Sequence, residues 1–156
     1  MNDTNLDTID RTNADTTLDT IDLVDLVDRY VAVWNEPDAA TRHRLVRELW
    51  AAGGTHVLET PPEAIRDAAR DLGMPVPALV ARGYDELDRR VDRAYQDFVA
   101  PGVHEFRSGG DAHRVGELVT FTWQMVATAD GTVVGGGRSA LVLDTDGRIG
   151  RDHQWV

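Results

Sequence analysis

RVGELVTFTWQMVATADGTVVGGGRSALVLDTDGRIGRDHQWV, residues Arg114–Val156, decides the fold. In its first run Phe121, Trp123 and Met125 fall on one side of an extended chain and Thr120, Thr122 and Gln124 on the other. That two-residue period is the mark of a long strand with one buried face. Ala129-Asp130-Gly131 turns the chain into TVVGGGRSALVLD, and Asp146-Gly147 turns it again into RIGRDHQWV. With VHEFRS (residues 103–108) ahead of it, the C-terminal half reads as an antiparallel meander. Its three successive glycines, Gly135 to Gly137, have no helix behind them, so they lack the helix N-terminus that makes a glycine loop bind phosphate. They predict a bend in the strand or a close approach by a ligand or another chain.

The first half supplies what covers such a sheet. Leu23, Leu26, Val27, Tyr30, Val33 and Trp34 recur at helical spacing from Ile21 onward, and the run breaks at Asn35-Glu36-Pro37. Asp38 is a natural N-cap for a second helix, whose inward face holds Leu45, Val46, Leu49 and Trp50 and which Gly53-Gly54 stops. THVLET reads as a short strand, PEAIRDAARDLG as a helix closed by Gly73, and MPVPALVARG as a link. Asp85 then caps a helix with the stripe Leu87, Val91, Ala94, Tyr95 and Phe98. Helices followed by an antiparallel sheet is the α+β pattern. If the sheet curls around three to four N-terminal helices, a cavity opens between them.

Composition narrows the function classes. The 156 residues suit one domain, residues 21–156, preceded by a disordered acidic tail, residues 1–20, rich in Asp, Thr and Asn. Of the net charge of −11, residues 1–28 contribute −7 through eight Asp and one Arg, so the rest of the chain carries −4. No basic face for nucleic acid is evident. No membrane-spanning run and no signal peptide are seen, and a cytoplasmic location is expected. All 16 basic residues are Arg, which excludes Schiff-base lysine chemistry, and the absence of Cys excludes thiol nucleophiles and thiolate metal sites. The five histidines, with His104 and His113 on adjacent strands of a possible hairpin, show no metal-ligand spacing, so no metal is expected. Ser108 and Ser139 are the only serines, and neither lies in a nucleophile elbow.

The order helix, helix, short strand ending in Pro, helix, then three long antiparallel strands resembles the nuclear transport factor 2-like superfamily, which includes SnoaL-like polyketide cyclases and ketosteroid isomerases. RYVAVWN, Glu59-Thr60-Pro61, GYDEL (residues 83–87) and DTDGRI (residues 144–149) carry the resemblance, which spans Ile21 to Val156. It implies a cone-shaped, cystatin-like fold, a pocket that takes a small hydrophobic metabolite, no cofactor, and a homodimer. Tyr30 matches the isomerases' hydrogen-bond-donating tyrosine. Their base position holds Thr60, with Glu59 in the opposite phase, and their second oxyanion donor position holds Ser139. Steroid isomerisation by that mechanism is therefore not expected.

The resemblance and the strand count together place Leu141, Asp152 and Gln154 on the pocket face, with Trp34, Thr60, Phe121, Trp123 and Ser139 as further substrate contacts. Tyr30 and Asp152 are the catalytic candidates. A carboxylate on an apolar concave face has its pKa raised and serves as acid and base near neutrality. The competing role for Asp152 is a surface carboxylate paired with Arg151 or Arg138, because a one-residue register slip exchanges the faces. The expected function is acid–base catalysis of cyclisation, isomerisation or dehydration, with a non-catalytic binding or dimerisation module as the alternative. An epoxide-opening relay is a third reading, disfavoured because alternation sets both arginines opposite Asp152. Residues 61–83 form either a lid over the pocket or a filler helix.

Overall fold

The computed structural model describes residues 18, 20–60, 63–75 and 78–156. The acidic tail predicted over residues 1–20 lies almost wholly outside them, with only Leu18 and Thr20 inside.

Helix α1 spans Leu23–Asn35 and α2 Ala39–Leu49, each opened by an aspartate N-cap. Asp22 Oδ1 accepts from the Val24 and Asp25 amides, and Asp38 Oδ1 accepts from Thr41 N at 2.8 Å. The inner face of α1 buries Leu26, Val27, Tyr30, Val33 and Trp34. Trp50 does not extend α2 as predicted. It begins strand β1 (Trp50–Leu58), pairing with Ile149, and Gly53-Gly54 fall inside that strand where its register shifts. A Cβ on Gly54 would come within 2.9 Å of the carbonyl oxygens of Ala51 and Ile149, so this glycine allows the close approach of two backbones and is no helix stop.

Helix α3 covers Glu63–Asp71, and Gly73 follows at φ 63°. The link predicted next holds strand β2, Leu79–Arg82, antiparallel to β1. Helix α4 runs Gly83–Ala94, two residues ahead of the Asp85 cap that the sequence suggested. It gives way to a π-helical turn, Tyr95–Val99. The wider turn rotates Phe98 out of the predicted buried stripe, leaving it 42% exposed with its ring edge-on to Phe106.

The remaining strands are β3 (His104–Ser108), β4 (His113–Val115), β5 (Leu118–Ala127), β6 (Val133–Leu143) and β7 (Ile149–Trp155). Sheet order is β2-β1-β7-β6-β5-β3, with β4 also pairing β5. The single long strand predicted from Arg114 divides at Gly116, whose φ of 59° makes the β4–β5 turn. His104 and His113 are not on hairpin partners, because β3 and β4 both pair with β5. The sheet is also not wholly antiparallel: β1 runs parallel to β7. The result is an α+β cone, an open mixed sheet whose inner face, with Val119, Phe121, Leu141 and Ile149, shares one core with Tyr30, Val33, Val46, Leu87 and Val91 of the helices. No helix among the described residues is long and apolar enough to cross a membrane.

Candidate active site

The β6–β7 register sets Leu141 beside Asp152 and Ser139 beside Gln154, and the β1–β7 register sets His56 beside Asp152. Tyr30, from α1, reaches down onto this group. Its hydroxyl donates to Asp152 Oδ2 at 2.8 Å and lies 3.3 Å from Ser139 Oγ. Asp152, Ser139 and His56 are all fully buried. Burial raises the Asp152 carboxyl to about 7, with the Tyr30 hydrogen bond and the positive charge of Arg90 pulling the other way. Burial, then the neighbouring Asp152 charge, pushes the Tyr30 phenol well above its ordinary value. Tyr30 is accordingly a hydrogen-bond donor near neutrality and no phenolate. His56 Nε2 stands 3.9 Å from Asp152 Oδ2, but burial, reinforced by Arg90, depresses the imidazole to about 3 and keeps it neutral. Among the described residues Asp152 Oδ1 and both His56 nitrogens have no hydrogen-bond partner of normal geometry, although the Gln154 side chain is near enough to His56 to favour its charged form.

Above the group is a cavity of about 410 Å³, bounded by α1, α3, α4, the π turn and the sheet. Of the predicted contacts, Tyr30, Trp34, Thr60, Trp123 and Gln154 line it. Phe121, Ser139, Leu141 and Asp152 lie behind that wall: Phe121 packs edge-on to Tyr30 at 5.1 Å, and Asp152 is joined to the cavity-lining Tyr30 by the bond from its hydroxyl. Gly135 and Gly136 line the wall as bare backbone. A Cβ on Gly137 would come within 2.6 Å of the Trp123 indole, so this glycine makes room for the ring. Arg138 and Arg151 are exposed, and Glu59 pairs with His153 at 2.6 Å, away from Asp152. Among the described residues no three potential metal-ligating side chains converge.

Two site residues escaped the sequence reading. His56 was visible as strand-phased with Leu58, but only the parallel β1–β7 pairing brings it to Asp152. Arg90 stood between Leu87 and Ala94 on the stripe of α4, a charge at a core position, which was the available signal. Its guanidinium lies 5.2 Å from the centre of the Trp34 ring, and burial lowers its pKa.

Several solved structures are similar to the chain. A SnoaL-like family protein from Agrobacterium tumefaciens, provisionally named an isomerase, is 23% identical with a TM-score of 0.66, over 85% of this chain and 95% of that one. A Sinorhizobium meliloti protein, provisionally named a polyketide cyclase, is 14% identical with a TM-score of 0.52, over 88% and 97%. A Nostoc punctiforme protein of unknown function with a cystatin-like fold is 12% identical with a TM-score of 0.56, over 89% and 91%. No family model and no curated protein matches the chain. From its element order, its open cone around a cavity and these likenesses, the chain has the α+β cone fold of these SnoaL-like and cystatin-like structures.

Proposed function

We propose that the chain is an acid–base catalyst that isomerises, cyclises or dehydrates a small, hydrophobic, oxygenated molecule. The observation that carries this reading is the Tyr30–Asp152 hydrogen bond at the base of an apolar cavity, with a carboxyl that titrates near 7. Because Asp152 stands behind Tyr30, the phenol is the group a substrate meets. A proton leaving an activated carbon enters at Tyr30 Oη as the phenol's own proton passes to Asp152 Oδ2. The reverse transfer returns a proton to a different atom of the substrate. The carboxylate is the base, and the phenol carries the proton without ever holding a full negative charge. The same reading includes a homodimer paired through the outer sheet face, where Thr120, Thr122, Gln124, Arg138 and His153 stand, and a cytoplasmic location.

A probe for this chemistry is 2-tetralone, a hydrophobic ketone with activated C–H bonds. Its exchange with D₂O should be catalysed, and Tyr30→Phe and Asp152→Asn should each slow that exchange by roughly 10²- to 10⁴-fold, the usual worth of a positioned acid or base. An Asp152 carboxyl-carbon titration, assigned with Asp152→Asn, should give a midpoint near 7. A midpoint near the ordinary value of about 3.9 would remove the reading. The absence of Asp152 from the cavity wall favours a second reading, a non-catalytic small-ligand module. Wild type that binds a ligand but exchanges 2-tetralone no faster than either variant would decide for it.

A further inference from the structure

The cavity wall has an excess of hydrogen-bond donors. Trp34 Nε1, Trp123 Nε1, Arg66 Nε and Arg90 Nε are buried without a partner, and all four residues line the cavity. Buried N–H groups of this kind are normally satisfied, so four on one wall call for an acceptor from outside the chain. Side-chain oxygen acceptors on the wall are few: Tyr30, which is committed to Asp152, Thr60, Glu63 and the Gln154 carboxamide. Thr60 Oγ1 donates to and accepts from the Val156 backbone, and Glu63, the one acid on the wall among the described residues, is exposed.

Charge points the same way. Elsewhere in the fold arginines sit on carboxylates, as Arg42 does on Asp92 and Arg47 on Asp88. Among the described residues Arg90 has no carboxylate within ion-pair distance. Its compensation is the face of Trp34 and, at longer range, Tyr30, Asp152 behind it and Asp97, whose carboxylate is bonded to Arg93. A guanidinium held among apolar side chains is unfavourable until an anion reaches it, and its planar fork matches a carboxylate.

We infer that the cavity takes an amphiphilic organic carboxylate, its apolar body against Phe106, Trp123 and Met125 and its carboxylate on Arg90, with Arg66 as the second cation of the wall. The inference rests on the proposed function only in taking this cavity as the place where the small molecule sits.

The test uses 2-naphthoate and its neutral isostere 2-naphthamide, titrated calorimetrically against the full chain at low salt and neutral pH. Naphthoate should bind roughly ten- to hundredfold more tightly than naphthamide, the range of charge-assisted hydrogen bonds. Arg90→Met, which keeps the apolar stem, should cost naphthoate about tenfold or more while naphthamide moves by less than about twofold. Naphthamide binding as tightly as naphthoate overturns the inference. So does an unchanged ratio in Arg90→Met, or binding of neither probe at about millimolar concentration. The wild-type comparison needs no variant and decides even if Arg90→Met does not fold. Tetralone exchange and the Asp152 titration report on proton transfer and leave the naphthoate ratio untouched, so either reading fails on its own.

Discussion

Asp152 is a carboxyl group placed where its charged form is expensive, and Tyr30 is the group that makes that form tolerable. The phenol donates to Oδ2, which favours the ionised carboxylate and opposes the effect of burial. Removing only that oxygen with Tyr30→Phe should therefore raise the Asp152 midpoint above about 7, read by the same carboxyl-carbon titration. A midpoint that stays put or falls would show that the bond does not reach the charged form. The inward phase of Asp152 was legible from strand alternation and that of Tyr30 from helical spacing, while their place in one site was implied by the resemblance alone. Their contact was not legible, since 122 residues separate them and only the packing of α1 on the sheet joins them. Arg90 was overlooked for a different reason. Its stripe reads as core, and an arginine there is easily taken for an edge residue whose stem snorkels to solvent.

At the scale of elements, β6 shows most directly how a strand can be built around what lies on it. Gly137 has no space for a side chain, with the Trp155 carbonyl oxygen 2.1 Å and the Trp123 ring 2.6 Å from the Cβ it lacks. A Cβ on Gly135 would meet only Met125, at 3.4 Å from its Cε and 3.9 Å from its Cβ. Gly137→Ala should destabilise by roughly 1–3 kcal/mol in urea unfolding, as overpacking does. Gly135→Ala should change stability by less than about 0.5 kcal/mol, since a flexible methionine end can give way. Equal losses at the two positions would mean that strand flexibility, and not room for Trp123, explains the glycines. Asp38→Ala should cost about 1 kcal/mol, the worth of the cap on α2. The long elements were readable because many side chains vote for one period: α1, β6 and β7 lie where their patterns put them, and α4 and β5 do so over most of their length. Trp50 and β2 were not, because four- to nine-residue strands beside glycine or proline take their conformation from a partner strand and hardly at all from themselves.

For the molecule as a whole, two buried groups tilt the pH dependence of stability in opposite directions. Asp152 has a folded pKa of about 7 against an ordinary 3.8, so its contribution is full below about 3.8 and is lost as pH rises through about 7. His56 has a folded pKa of about 3 against 6.5, so its contribution is present above about 6.5 and is lost as pH falls through about 3. Each is worth on the order of 4 kcal/mol across its window, and the two nearly cancel between about pH 4 and 6.5. Asp152→Asn should therefore gain in melting temperature over wild type as the pH is raised from 5 to about 8, where the wild-type carboxylate is ionised in the interior. A difference in melting temperature that is flat over that range would show that Asp152 is not desolvated.

The parallel seam between β1 and β7 has a consequence in time. Residues 50–58 can pair early with the short strand at residues 79–82, but their other edge finds its partner only in residues 149–155, the last strand of the chain. A nascent chain can cap its helices early and still has no base to its cone, so the burial of Asp152 and His56 belongs to the last step of assembly. Until that step the β7-facing edge of β1 is unpaired, which makes the half-made chain the form most exposed to wrong pairing with its neighbours.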